Sequence, residues 1–217
     1  MLFRSLAADG ESDEALEHYR QAMALDEGYL EPMLNAAELL VHPLGEYDEA
    51  IVLCDDVLSM CEEKDEVADA VLLKCDALLA KGAADEAERC LAMLPEGPYE
   101  SGNTYFAIGR SYYELGKADL ADENLRAAIE RDAEHADAAY HLGLIADERG
   151  DADAATTWFL RARELDLLAA PPGWSLPGEA FAKACREALD ALGPEHAEKL
   201  RGAKLYVGDV QIGRAHV

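Results

Sequence analysis

The chain has 217 residues, of which 45 are acidic and 19 basic, giving a formal net charge of −26. Half of the residues are hydrophobic, which excludes an acidic disordered tail, because such segments lack the apolar content to build a core. The negative charge argues against nucleic acid or an anionic membrane as the main partner. A basic protein segment is the expected partner instead.

The sequence also argues against a membrane-embedded or disulfide-stapled protein. No stretch approaches the roughly 20 consecutive apolar residues of a membrane-spanning helix. The five cysteines are an odd number without a Cys-x-x-Cys pair. This usage is typical of a reducing compartment in which thiols serve as small buried groups, so we expect a cytoplasmic protein.

A self-similar pattern with a period of 34 residues occupies the middle of the chain. One copy consists of Tyr105, Ile108, Gly109, Tyr112, Gly116, Ala121, Leu125 and Ala128. The corresponding residues 34 positions later are Ala139, Leu142, Gly143, Ala146, Gly150, Ala155, Phe159 and Ala162. A third copy, 34 positions earlier, contains Cys75, Gly82, Ala87 and Leu91.

The copies nearer the N-terminus are less regular. Gly45 repeats the turn of the unit but lies 37 residues before Gly82, which indicates an insertion near residues 61–66. A still earlier copy begins at Gly10 and predicts a second helix with no first helix before it.

Two prolines interrupt the pattern between copies. Leu94-Pro95 and Gly97-Pro98 follow the second half of the unit that starts near Gly82. Because proline cannot continue a helix, we expect that helix to end early and the junction before Ser101 to be irregular.

This pattern resembles the tetratricopeptide repeat (TPR), a helix-turn-helix unit, over roughly residues 6–169. The resemblance implies an all-α fold, a solenoid of antiparallel helix pairs whose first repeat is incomplete and in which each repeat contacts its neighbours. The positions that recur between the repeats have a mechanical role in such a unit. Gly109 and Gly143 let two helices approach, Gly116 and Gly150 turn the chain, and large residues such as Leu125 fill the gap to the next repeat.

The composition changes after the repeats. Residues 6–63 hold 16 acidic residues and one basic residue, whereas 178–211 hold six acidic and five basic. We interpret residues 170–177, which contain Pro171-Pro172, as a linker and residues 178–211 as the start of a truncated second domain. Apolar residues at helical spacing from Phe181 predict a helix there, and Lys204–Val207 predicts a strand, hence an α/β stub.

Residues 178–211 resemble the opening of a small bacterial zincin-like metallopeptidase domain, a helix followed by a strand ending near an acidic residue. The His-Glu-x-x-His zinc motif occurs nowhere in the sequence, so no catalytic or metal-binding residue is assigned and no cofactor is expected.

Both ends of the sequence have a different character. Residues 1–5 and 212–217 match the translation of one common sequencing adapter in opposite orientations. We hypothesise that the natural segment is about residues 6–211, an internal piece of a longer protein.

In the TPR family the first helix of each repeat lines a concave groove, and fixed positions of that helix contact the ligand. Carried onto the two most regular repeats, these positions are Asn103, Phe106, Arg110, Tyr113, Glu114, Asp137, Tyr140, Leu144, Asp147 and Glu148. The aromatic residues would anchor a peptide and the acidic residues would meet its basic side chains. The alternative for each aromatic residue is packing against adjacent helices.

The sequence therefore predicts a non-catalytic scaffold with an acidic groove that binds a basic peptide or protein segment. The resemblance of residues 178–211 leaves a second hypothesis, in which the repeats position substrate for a zinc metallopeptidase whose catalytic region lies outside this sequence. A third hypothesis is a packing platform in a larger assembly, which predicts an exposed apolar edge at the incomplete first repeat.

Overall fold

The computed structural model describes residues 11–26, 28–168 and 178–191, and throughout this part of the chain the regular elements are helical. The helices are α1 Glu11–Leu25, α2 Leu30–Leu39, α3 Tyr47–Met60, α4 Lys64–Ala80, α5 Ala84–Leu91, α6 Gly102–Glu114, α7 Ala118–Arg131, α8 Ala136–Glu148, α9 Ala152–Leu168 and α10 Gly178–Asp190. A π-helical turn, Leu40–Leu44, extends α2 and includes Pro43.

Helices α1 to α9 form a stack of antiparallel neighbours. Helix α2 packs on α3, α4 on α5, α6 on α7 and α8 on α9, and each such pair forms one repeat with a first and a second helix. Helix α1 packs on α2 as the second helix of an incomplete repeat. Consecutive first helices, α2, α4, α6 and α8, also contact one another, which places them on the inner side of the stack.

A glycine with positive φ joins the two helices of each repeat. Gly82, Gly116 and Gly150 have φ values of 75°, 71° and 76°, and Gly45 has a φ of 74°. In this left-handed region glycine carries no side-chain penalty. After Gly116 the chain closes the helix end, since the Lys117 N–H donates to the Tyr112 carbonyl at 2.9 Å. The predicted turn positions are confirmed.

Inside each repeat the two helices cross at a second glycine. A Cβ atom at Gly109 would lie 2.8 Å from Leu125 Cγ, and one at Gly143 would lie 2.6 Å from the Phe159 ring. The prediction that these positions let the helices approach is confirmed. The role predicted for Leu125 was incomplete, because it covers the glycine of its own repeat and also belongs to a buried cluster with Leu142 of the next repeat.

Small residues elsewhere fill the core in the same way. Ala87 and Ala121 are fully buried in second helices. Cys54, Cys61, Cys75 and Cys90 are buried free thiols, which confirms the prediction that cysteine serves here as a small buried residue. Burial raises the pKa of Cys54 and of Cys75 to about 12, so these thiols stay protonated at neutral pH.

The junction before α6 is irregular, as the prolines predict. Helix α5 has only eight residues, and non-helical chain follows from Ala92 to Ser101. Tyr99 anchors this segment, because its buried side chain packs edge-on against the Tyr105 ring at 5.5 Å. Lys64 covers the other part of the junction, 4.8 Å from the Tyr99 ring centroid, and donates to the Pro98 carbonyl at 2.6 Å.

The insertion predicted near residues 61–66 becomes an extra helical turn. Helix α4 has 17 residues and starts at Lys64, whereas α6 has 13 and starts at Gly102. Since the turn glycines of the two repeats, Gly82 and Gly116, are 34 residues apart, the additional residues lie at the N-terminal end of α4.

Beyond the repeats the structure describes residues 178–191, where α10 forms the helix predicted from Phe181 onward and carries no buried residue. The predicted linker at 170–177 and the predicted strand at Lys204–Val207 lie outside the described residues, as do both terminal segments assigned to the adapter. Among the described residues, no helix combines the length and apolar character needed to cross a membrane.

The glycine crossing yields a stability prediction. Gly143→Ala places a methyl group against the Phe159 ring, so we expect it to lower the free energy of unfolding by about 1–3 kcal/mol. Urea denaturation measures this loss. Gly178→Ala, which meets nothing within 4 Å, is the matched control and should be neutral. If Gly143→Ala costs the same in a Phe159→Ala background as in the parent, the crossing does not explain the glycine.

Candidate functional site

The predicted groove residues lie on two neighbouring first helices, α6 and α8, whose starting points are fixed by side-chain caps. The Ser101 hydroxyl accepts from the Asn103 N–H at 3.1 Å at the start of α6. At the start of α8, His135 Nδ1 accepts from the Ala138 N–H at 3.2 Å. These caps satisfy amides that would otherwise be unpaired at the starts of the two helices.

The three aromatic residues of the predicted set lie around one histidine. The ring centroids of Phe106, Tyr113 and Tyr140 lie 5.3, 5.8 and 5.9 Å from that of His141. Phe106 and Tyr113 are half-buried against the core beneath, while Tyr140 is 40% exposed. The rings therefore combine packing with access to solvent. We call Phe106, Tyr113, Tyr140 and His141 the aromatic patch.

A carboxylate of the next repeat is hydrogen-bonded to the aromatic patch. The Tyr113 hydroxyl on α6 donates to Glu148 Oε1 on α8 at 2.5 Å. Burial of Tyr113, together with this bond to an anion, raises the pKa of the phenol to about 12. Tyr113 therefore remains a neutral donor at any physiological pH and holds Glu148 beside the rings.

The one arginine of the predicted set has a partner on the preceding repeat. Arg110 on α6 donates to Asp76 on α4, and its Nε lies 3.8 Å from Glu114 Oε1. His42 Nε2 approaches the same Asp76 carboxylate at 3.7 Å. Burial tends to raise the pKa of Asp76, but His42 and Arg110 outweigh it and hold that pKa below its ordinary value. Arg110 is thus occupied by the protein's own carboxylates.

The charge on these two helices is strongly unbalanced. Helix α8 contains neither lysine nor arginine, and Arg110 is the sole basic residue of α6. Against it stand four carboxylates on the same two helices, at Glu114, Asp137, Asp147 and Glu148. Arg110 pairs with Asp76 and lies 3.8 Å from Glu114, so these two helices together carry an excess of negative charge.

The other predicted positions are distributed along the same two helices. Asn103 is exposed at the opposite end of α6 from Tyr113. Asp137 and Asp147 are exposed on α8, and Leu144 is half-buried on the same helix. Of the predicted set, the structure thus brings Phe106, Tyr113, Tyr140 and Glu148 together around His141.

The central residue of the patch, His141, is not among the groove positions predicted from the sequence. His135 caps the start of α8. His141 instead lies half-buried among the rings, and His135 packs on Phe106 at 4.7 Å. The available signal was the position of His141 next to Tyr140 and one turn after Asp137, on the face assigned to the groove.

A cleft of about 440 Å³ elsewhere in the repeats has a different character. It lies beside α3 and α4, and its two lysines pair with its own carboxylates, Lys74 with Asp55 at 2.5 Å and Lys81 with Asp48. Since these charges neutralise each other, this cleft offers a ligand less net charge than the groove on α6 and α8.

Comparison with known families assigns the fold. Residues 44–97 and residues 106–169 each match a model of the tetratricopeptide repeat, and together these segments make up more than half of the chain. The chain therefore belongs to the TPR family, as its 34-residue period predicts. Both matches end before residue 178, so they give no support to the zincin-like resemblance of residues 178–211.

Solved structures with a similar fold include MamA and YrrB. A MamA structure from Desulfovibrio magneticus RS-1 is 21% identical, with a TM-score of 0.58, covering 77% of this chain and 93% of its own. YrrB, described as a TPR protein with an unusual peptide-binding site, is 22% identical with a TM-score of 0.53, covering 75% and 81%. At these identities the likeness shows the shared fold.

A curated relative is much longer than this chain. The protein O-mannosyl-transferase TMTC1 of Homo sapiens is 26% identical over 159 residues, which are 72% of this chain and 18% of TMTC1. The chain thus spans less than a fifth of that protein.

The Asp76 pair gives a pH-dependent stability prediction. Because the folded-state pKa of Asp76 is depressed, its contribution to stability is present above the pKa of an unfolded aspartate, about 3.9, and is lost as the pH falls through the folded value. Arg110→Met leaves this carboxylate buried without its main partner. We expect a loss of about 2 kcal/mol near pH 7.

Protonation of Asp76 relieves the unpaired charge, so the deficit of Arg110→Met should shrink as the pH falls toward about 4. Urea titrations at both pH values measure it. Lys183→Met, which removes an exposed pair with Glu187, is the control and should change stability little. An Arg110→Met deficit no larger than that of the control would contradict this assignment.

Proposed function

We propose that this chain is a non-catalytic protein-binding scaffold whose inner face on α6 and α8 binds a basic peptide or protein segment. The observation that carries the proposal is the convergence of rings and carboxylates from two repeats on one accessible surface. Tyr113 and Phe106 come from α6, while Tyr140 and Glu148 come from α8. Aromatic residues supply rigid contact area, and the carboxylates supply complementary charge.

The pairing of the chain's own basic residues supports a cationic partner. Arg20, Lys74, Lys81, Arg110, Lys117, Arg126 and Arg149 each form an ion pair within the protein. With 45 acidic residues against 19 basic ones in the whole sequence, these pairs leave a large excess of negative charge. That excess attracts basic segments and speeds their encounter with the surface.

The preformed arrangement of the groove supports a peptide as the ligand. Helix caps, glycine crossings and the Tyr113–Glu148 bond position the side chains before any ligand is present. A preformed surface binds a peptide with little loss of its own conformational entropy. The related fold of YrrB, described as having a peptide-binding site, adds support by analogy.

Charge reversal on the inner face tests the proposal. The triple variant Glu114→Lys, Asp147→Lys and Glu148→Lys should weaken binding of basic peptides by at least about tenfold, because it turns attraction into repulsion. A peptide array of fixed length and graded net charge measures the change. The helical circular dichroism signal should stay the same.

A control with the same change in net charge separates local from global electrostatics. Glu86→Lys, Glu123→Lys and Glu130→Lys reverse three exposed residues of the second helices α5 and α7. We expect this variant to keep most of its affinity for basic peptides. If the two triple variants lose affinity equally, the groove on α6 and α8 is not the binding surface.

A further inference from the structure

The tautomer of His141 is fixed by a backbone bond. Its Nδ1 lies 2.8 Å from the Asp137 carbonyl oxygen, one helical turn earlier. A carbonyl oxygen can only accept a hydrogen bond, so Nδ1 carries the proton and donates. In the neutral imidazole this leaves Nε2 with a lone pair and no proton.

That lone pair is available to a ligand. His141 is half-buried, and no side chain or backbone group in the described part of the chain is hydrogen-bonded to its Nε2. The rings of Phe106, Tyr113 and Tyr140 lie at 76°, 89° and 85° to the imidazole plane. Nε2 is therefore a hydrogen-bond acceptor among aromatic rings that stand roughly perpendicular to the imidazole plane.

A second hydrogen-bond acceptor lies at the edge of the aromatic patch. Tyr113 contacts His141 and binds Glu148 through Oε1, so the other carboxylate oxygen, Oε2, can accept from a ligand. The site thus presents two acceptors, a negative charge and ring faces. A guanidinium group matches all of these, because it is cationic, stacks on aromatic rings and has donors pointing in several directions.

We propose that His141 and Glu148 form a subsite for an arginine side chain of the basic partner, with His141 Nε2 accepting one guanidinium hydrogen bond among the rings of the aromatic patch. This inference rests on the proposed function and specifies the side chain that the groove selects.

Binding of two synthetic peptides tests the subsite. They have equal length and charge in a Gly/Ser background, one with arginines and the other with lysines at the same positions. The full chain should bind the arginine peptide about tenfold more tightly than the lysine peptide, because a guanidinium group stacks on aromatic rings and donates in several directions. Equal affinity for the two peptides would overturn the assignment.

Variants of His141 localise the effect. His141→Phe keeps a ring without an acceptor and should bind the arginine peptide about tenfold more weakly than the parent chain. His141→Gln supplies an amide oxygen as the acceptor, so it should keep more affinity than His141→Phe. His42→Gln, which alters the histidine beside Asp76, should bind the arginine peptide as the parent chain does.

If His141→Phe binds the arginine peptide as tightly as the parent chain does, the subsite is wrong. The proposed function fails in a different way, through a parent chain that shows no preference for basic peptides or through equal losses in the two triple charge variants. The two failures are therefore distinguishable in one set of binding measurements.

Discussion

The close crossing of two helices within each repeat is the constraint on which the rest of the structure depends. At Gly109 and Gly143 the helix backbone lies so near Leu125 and Phe159 that a single added methyl group has no room. A crossing this close fixes the rotation of each first helix against its second helix. The concave positions of α6 and α8 thereby come into register, which allows Tyr113 to reach Glu148 from one repeat to the next.

Electrostatics then separates the parts of the surface. Most basic side chains of the repeats are engaged by carboxylates of neighbouring helices, as with Lys81 and Asp48 or Arg149 and Asp119. Exposed pairs of this kind add little to stability, but they remove positive charge from the surface available to partners. On the inner face of α6 and α8 the one arginine, Arg110, pairs with Asp76 of the preceding repeat. The rings of the aromatic patch lie there beside the carboxylate of Glu148.

The sequence predicted the features that follow from periodicity. A glycine that must adopt positive φ, such as Gly116, and one that must admit a neighbouring helix, such as Gly143, are each determined locally by the lack of a side chain. The early end of α5 followed from the prolines beyond it. The occurrence of Phe106, Tyr113 and Tyr140 on neighbouring first helices was also predictable, since a fixed helix position determines the face on which a side chain lies.

Features that depend on side-chain rotamers and on contacts between repeats could not be predicted from the sequence pattern. The extra turn of α4 and the anchoring of the irregular junction by Tyr99 arise where the 34-residue period is broken. The position of His141 among three rings requires the relative placement of two helices to within a fraction of a ring width. Its neighbours on α6 lie about 30 residues away in the sequence, so helical spacing alone does not identify them.

The most direct test of the central claim is to locate a bound basic peptide on the protein by NMR, using an isotopically labelled chain and a spin-labelled arginine peptide. If the peptide binds the inner face of α6 and α8, paramagnetic broadening will centre on the aromatic patch and Glu148, with a change in the His141 Nε2 resonance and little effect on α7 and α9. Broadening centred on the second helices, with the aromatic patch unaffected, would contradict it.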